Sequence, residues 1–69
     1  MKIEGVYQHG AGLRYKVQSV ILDATDYEQG QEPKKVVLYA QLEDGKFPAG
    51  TLWVREEQDF LDNFAKVEE

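Results

Sequence analysis

The chain has 69 residues, 13 acidic against 8 basic side chains, a net charge of −5 and no cysteine. This length predicts one small domain, and the missing cysteines exclude disulfides and thiolate chemistry. The acidic balance disfavours a protein that binds phosphate backbones. The first residues, Met1 to Glu4, do not resemble a signal peptide, and no apolar run approaches the roughly 20 residues of a membrane span. We therefore expect a cytoplasmic protein without a membrane partner.

Apolar and polar residues alternate in several segments, which is the period of half-buried β-strands. The alternation changes parity between Gln18 and Val20, which predicts a β-bulge there. A polar stretch at 23–35, with Gly30 and Pro33, predicts a mobile loop between two strands. The predicted strands lie at about 5–9, 13–22, 34–42 and 50–55.

In the last segment, the spacing of the apolar residues changes from every second residue to the spacing of a helix. Phe60, Leu61 and Phe64 recur at helical spacing, which predicts a helix over about 57–66. A helix of this length is marginal alone in water, so we expect it to dock on the sheet.

The alternation suggests which faces of the strands are buried. Its predicted core consists of Tyr15, Val17, Val36, Leu38, Leu52 and Val54. Tyr39 and Trp53 have the opposite parity, where they either form a binding surface or are covered by the helix. The predicted fold is mainly β with one C-terminal α-helix, as a small SH3-like barrel or a curved antiparallel β-roll.

Several motifs resemble a small bacterial family, domain of unknown function 1653. The matching segments are Gly5-Val6-Tyr7-Gln8-His9, Tyr15-Lys16-Val17, Val36-Val37-Leu38-Tyr39, Leu52-Trp53-Val54-Arg55 and Phe60. The resemblance covers nearly the whole chain. Glu56 stands where that family has a proline after the arginine. The resemblance supports the predicted fold and implies no activity.

Catalytic and metal chemistry find little support in the residues present. His9 is the only histidine and Ser19 the only serine, so a nucleophile with an adjacent base is not visible. Asp23, Asp26 and Glu28 lack the ligand spacing of a calcium-binding loop. We therefore expect no catalytic residues, no metal and no cofactor.

Binding is the remaining class of function. Its candidate residues are Tyr7, His9, Tyr39, Trp53 and Arg55. The leading hypothesis is a non-enzymatic module that binds a protein segment or small ligand beside Trp53, Tyr39 and Arg55. The alternative is a nucleic-acid-binding barrel, which would need its basic residues (Arg14, Lys16, Lys34, Lys35) on one face. A small enzyme that uses His9 is the third possibility.

Overall fold

The structure, a computed structural model, describes residues 3–25 and 27–67. It contains five antiparallel strands in one sheet and a single short helix. The elements are β1 Val6–His9, β2 Arg14–Asp23, β3 Lys34–Gln41, β4 Leu52–Glu56, α1 Glu57–Asn63 and β5 Phe64–Lys66. The strand order across the sheet is β4-β3-β2-β1-β5. The predicted mainly β class with one C-terminal helix is confirmed.

The sheet is strongly curved. The rings of Phe64 in β5 and Tyr39 in β3 lie 5.4 Å apart, although β1 and β2 separate their strands. In a flat sheet three strand spacings would place them about 14 Å apart. The two edge strands also approach each other, since the Arg55 guanidinium of β4 lies 5.3 Å from the Phe64 ring centre. Among the described residues β4 and β5 do not pair, so the fold is the predicted curved roll and not a closed barrel.

The concave side of the roll, here called the inner face, holds the core. Its buried residues are Ile3, Tyr7, Val17, Val37, Tyr39, Phe60 and Phe64. Phe60 and Val37 have no exposed surface at all. Phe60 comes from α1, so the helix docks on the inner face, as its apolar residues predicted.

A bulge in β2 keeps the inner-face parity of two apolar segments, of which only the first, with Val17, is buried, whereas Val20 and Leu22 after the bulge are exposed. The pairing of β2 with β3 shifts between Val17 and Ser19, within the predicted region. Before the shift Val17 lies opposite Tyr39, and after it Val20 lies opposite Val37. Because of the extra residue, Gln18, the apolar positions of β2 change from odd to even residue numbers. They nevertheless stay on the face that carries Val37 and Tyr39 of β3.

The predicted core is wrong for β3 and β4. Leu52 and Val54 are 60% and 58% exposed, and Val36 and Leu38 are half-buried. They lie on the convex side of the sheet, here called the outer face. Of the predicted core residues, Val17 is buried and Tyr15 packs against the core.

Two features explain why the opposite faces of β3 and β4 are the buried ones. Both faces of β3 are apolar, so alternation alone does not distinguish them. The aromatic side chains Tyr39 and Trp53 provide more apolar area than their neighbours, and the rings of α1 pack on that side.

The helix is shorter than predicted. It ends at Asn63, and Phe64–Lys66 form β5 against β1. Phe64 has extended backbone angles, φ −117° and ψ 139°, while its N–H still donates to the Phe60 carbonyl. Pairing continues past β5, since the Val67 N–H donates to the Val6 carbonyl at 2.8 Å. Residues 64–66 therefore form backbone hydrogen bonds with β1 instead of one more turn of helix.

The last pair of the β2–β3 hairpin is Asp23 with Lys34, within one residue of the predicted strand bounds. At its tip a cavity of about 290 Å³ is lined by Leu22, Asp23, Ala24, Tyr27 and Pro33. Asp26 lies outside the described residues, and the mobility of the loop stays a prediction. Within the described part of the chain, no helix has the length and apolar character to cross a bilayer.

Candidate functional site

The structure places two of the five predicted binding residues inside the core. Tyr7 and Tyr39 are 6% and 4% exposed. Their ring centres lie 5.0 Å and 5.2 Å from that of Phe60. Their aromatic faces therefore pack against α1 and are not available to a ligand.

Arg55 connects β4, α1 and β5. Its Nη1 donates to Asp59 Oδ2 at 2.8 Å, and its guanidinium lies over the Phe64 ring. The nearby Tyr39 hydroxyl and then the Asp59 carboxylate raise the pKa of Arg55 above its ordinary value. The guanidinium is already engaged by a carboxylate and an aromatic ring. This geometry makes Arg55 a brace between elements.

Trp53 is held by the buried amide of Gln41. The indole Nε1 donates to Gln41 Oε1 at 3.0 Å, and the Gln41 Nε2 donates to the carbonyls of Glu43 at 3.0 Å and Phe47 at 2.6 Å. The Phe47 ring packs edge-on against Trp53, with their centres 5.2 Å apart. Gln41 therefore fixes both the tryptophan and the turn after β3, and its amide is fully hydrogen-bonded.

Sequence reasoning missed Gln41 and Phe47 as neighbours of Trp53. A signal existed for Gln41, because it shares the parity of Val37 and Tyr39. Gln41 is the next residue of that series, so its polar side chain is expected to be buried and to need hydrogen-bond partners. Phe47 gave no comparable signal, since it lies in an irregular turn.

His9 is exposed at the end of β1. Its ring stacks on Phe64 with the ring centres 4.7 Å apart and an interplanar angle of 16°. The His9 ring therefore covers one face of the Phe64 ring, which belongs to the core. Among the described residues, no group of three or more His, Cys, Asp or Glu side chains could hold a metal ion. Asp23 Oδ1 instead accepts the Thr25 N–H at 2.8 Å.

The basic residues considered for nucleic acid are separated. Arg14, near the start of β2, forms an ion pair with Glu43 at 3.2 Å. Lys34 lies at the opposite end of the hairpin, across from Asp23, and Lys35 follows it with the other strand parity. Lys16, opposite Ala40, shares the outer-face parity of Arg14 and Lys34. Ala40 and Lys34 lie near opposite ends of β3, however, so the four basic residues do not form one cluster.

A set of exposed and half-buried apolar residues lies on the outer face. Leu38 pairs with Val54, and Val36 pairs with Ile21, so the apolar residues of three strands are adjacent. We call this set the outer apolar patch; its members are Ile21, Val36, Leu38, Leu52 and Val54. Ile21 is 40% exposed, and the two β4 residues are more so. Contiguous exposed apolar surface of this kind marks interaction sites.

The open edge of β4 lies beside the outer apolar patch. The Gln41 N–H donates to the Thr51 carbonyl at 2.9 Å, in the register that continues through β4. Because hydrogen-bonded and non-bonded pairs alternate in antiparallel sheets, Trp53 and Arg55 bond to β3. The backbone groups of Leu52, Val54 and Glu56 therefore point away from the sheet. Within the described residues no other strand pairs with them.

The two edges of the sheet differ in their protection. β5 has three residues, and one of them is Lys66; shortness and lysine are usual protections of an edge strand. β4 has five residues and contains neither lysine nor proline. The candidate site is therefore the β4 edge together with the outer apolar patch.

In comparisons with known proteins, no family model, curated protein or solved structure matches the chain.

Proposed function

We propose that this chain is a non-enzymatic protein-binding module that takes up an extended protein segment along β4. The single observation that carries the proposal is the coincidence of two features at the same residues. Leu52 and Val54 direct unpaired backbone groups outward and expose their side chains on the outer face.

Strand addition suits this combination. A segment that lies beside β4 gains main-chain hydrogen bonds, while its alternate side chains contact Leu52 and Val54. The hydrogen bonds supply affinity for any extended chain, and the apolar contacts select segments with apolar residues at every second position. Both requirements are met without movement of the core.

The inner-face candidate residues have a different role in this proposal. Tyr7, Tyr39 and Arg55 hold α1 and β5 against the sheet, so they support the strand that binds. The binding surface thus moves from the predicted inner side of β4 to its edge and outer side.

Site-specific photo-crosslinking in cells tests the proposal. A benzophenone amino acid replaces Val54 in the full chain, and a matched control carries it at Gln29, an exposed residue of the β2–β3 loop. We expect discrete protein adducts from position 54 and far fewer from position 29. A thermal melt checks that both variants remain folded.

Equal crosslinking from the two positions would overturn the proposal, because labelling would then follow exposure alone. A further variant, Val54→Pro, removes an N–H that faces away from β3, and proline is tolerated at such edge positions. We expect it to lose the adduct-forming partner while the fold is kept. Retained binding by a folded Val54→Pro chain would also contradict strand addition.

A further inference from the structure

We infer that the segment taken up by β4 is β4 of a second copy, which pairs with it antiparallel about a two-fold axis at Val54. The inference rests on the proposed function and names its partner. An isologous contact needs a surface that is complementary to itself, and β4 meets that requirement in one register.

In this register Val54 lies opposite Val54 of the second copy, and Leu52 lies opposite Glu56. The Val54 N–H and C=O both point outward, so the central pair exchanges two hydrogen bonds. The Glu56 N–H donates to the carbonyl of Leu52 in the second copy. Glu56 is the N-cap residue of α1, so its carbonyl accepts a hydrogen bond within the helix and not from Leu52 of the second copy.

Side chains also complement each other on both faces. On the outer face the two Val54 side chains meet and join the outer apolar patches of the two copies. On the inner side Trp53 lies opposite Arg55 of the second copy, where the aliphatic part of the Arg55 side chain can pack against the indole while its guanidinium stays on Asp59. No like charges lie directly opposite in this arrangement.

Neighbouring registers are less favourable. A shift of two residues in one direction places Arg55 opposite Arg55, and like charges directly opposite are destabilising. The shift in the other direction pairs Glu56 with Gly50, whose φ of 92° is not that of a strand. The register about Val54 is the one that pairs all five residues of β4.

Charge gives the contact a distinctive salt dependence. The strand itself carries one cation and one anion, Arg55 and Glu56, whereas each whole chain carries a net charge of −5. Salt screens repulsion between the two copies beyond about 8 Å at physiological ionic strength. Dimer formation should therefore strengthen as salt rises. A basic partner segment would instead bind more weakly at high salt.

The contact is small, so the dimer should be weak. Stable interfaces use about 20–30 residues a side, and β4 offers five. Sedimentation equilibrium on the full chain is therefore run from about 10 μM to 1 mM, which covers weak affinities. We expect a monomer–dimer equilibrium whose association constant rises between low and moderate salt. Val54→Lys should be a folded monomer, and Gln29→Lys, with the same charge change, should dimerise like the parent.

A cysteine scan tests the register, since the chain has no cysteine of its own. Opposed residues of a hydrogen-bonded pair have Cα atoms about 5.5 Å apart, which a disulfide can bridge. Val54→Cys should thus form a covalent dimer under mild oxidation. Leu52→Cys is the matched control, because its two copies would lie about 14 Å apart along the strands. Equal oxidation of both variants would overturn the register and with it the inference.

The outcomes separate this inference from the proposed function. A parent chain that stays monomeric at 1 mM and moderate salt overturns the inference. Photo-crosslinks from position 54 to a different protein would then leave strand addition standing. Absence of adducts from position 54, with the chain folded, would overturn both. A crosslinked product of twice 7.9 kDa supports both.

Discussion

Phe60 is the residue through which the helix and the sheet share one core. Its ring contacts Tyr7 and Tyr39 from the sheet and stacks on Phe64 at a centre distance of 4.2 Å. It has no exposed surface, whereas Leu52 on the outer face is 60% exposed. The two residues are similarly apolar, so their difference in burial makes a direct comparison possible.

We predict that Phe60→Ala lowers the free energy of unfolding by about 3–5 kcal/mol, the usual cost of a large buried aromatic side chain. A domain of this size has only a few kcal/mol in total, so the variant should be largely unfolded. Leu52→Ala should change stability by about 0.5 kcal/mol or less, since most of its surface is already in water. Urea unfolding curves of both variants measure this. A larger loss from Leu52→Ala would mean that the core lies on the outer face.

Glu43 gives a prediction of pH dependence. The backbone N–H and the guanidinium of Arg14 donate to its carboxylate and lower the pKa of Glu43 below its ordinary value of 4.5. A group with a lowered pKa in the folded state stabilises the fold above its unfolded pKa, and this contribution disappears as the pH falls through the folded value. Hydrogen bonds from Thr25 lower the pKa of Asp23 in the same direction.

The Tm should therefore fall as the pH decreases below about 4.5. Glu43→Gln should lower the Tm at pH 7 and make the acid decrease shallower. Glu28→Gln, which changes an exposed loop residue, serves as the control and should follow the parent curve. Melts monitored by tryptophan fluorescence from pH 7 to pH 3 check this. An acid decrease in Glu43→Gln as steep as in the parent would show that the Arg14 contact contributes nothing.

At the scale of elements, alternation predicted the first four strands and the bulge, and the helical spacing of the last apolar residues predicted the existence of the helix. Alternation placed Leu38 and Val54 on the wrong face because both parities of β3 are apolar, and β4 takes its buried face from its pairing with β3. The choice of face depends on what packs against the sheet, and a period of two contains no information about that. For the same reason Tyr39, one of the candidate binding residues, lies buried on the face that α1 covers, which is the second of the two outcomes expected for it.

β5 was not predicted because it has no strand signal of its own. Phe64 follows Phe60 and Leu61 at helical spacing, so its apolar character suggests a continued helix. The three residues become a strand because β1 offers an unpaired edge at the end of α1. This is a tertiary contact that the local sequence does not encode.

The pairing of β5 can be tested at Ala65. The Val67 to Val6 hydrogen bond fixes the alternation, so Ala65 and Gln8 form a hydrogen-bonded pair. We predict that Ala65→Pro destabilises the fold by about 1–3 kcal/mol, because it removes the N–H of that pair. Ala65→Thr keeps the N–H at an exposed position and should be near neutral. Unfolding curves for the two variants decide this, and equal stability would show that β5 does not contribute.

At the scale of the whole molecule, side-chain contacts connect the two edge strands, which backbone hydrogen bonds do not join. The edge strands β4 and β5 do not pair among the described residues, yet Arg55 spans them through Phe64 and Asp59. The β2–β3 hairpin extends beyond this roll, and the molecule measures 40 × 23 × 17 Å. The fold is therefore a small core with a projecting hairpin, and residues 57–67 cover the open side of that core.

This arrangement predicts that the first 56 residues do not fold alone. Without residues 57–67 the inner face loses Phe60 and Phe64, and the rings of Tyr7 and Tyr39 become exposed. A single sheet with one uncovered aromatic face cannot bury enough surface to offset its conformational entropy. We expect a chain that ends at Glu56 to show no cooperative melt and to bind a hydrophobic dye.

A synthetic peptide of residues 57–67 provides the control. Added in excess, it should restore a cooperative transition and reduce dye binding, because it supplies the missing rings. The same peptide with Phe60→Ala should fail to do so, since Phe60 is the helical residue that is fully buried. A truncated chain that melts cooperatively near the parent Tm would show that the four remaining strands form a core without α1. Rescue by the Phe60→Ala peptide would show that α1 contributes its backbone and not its ring.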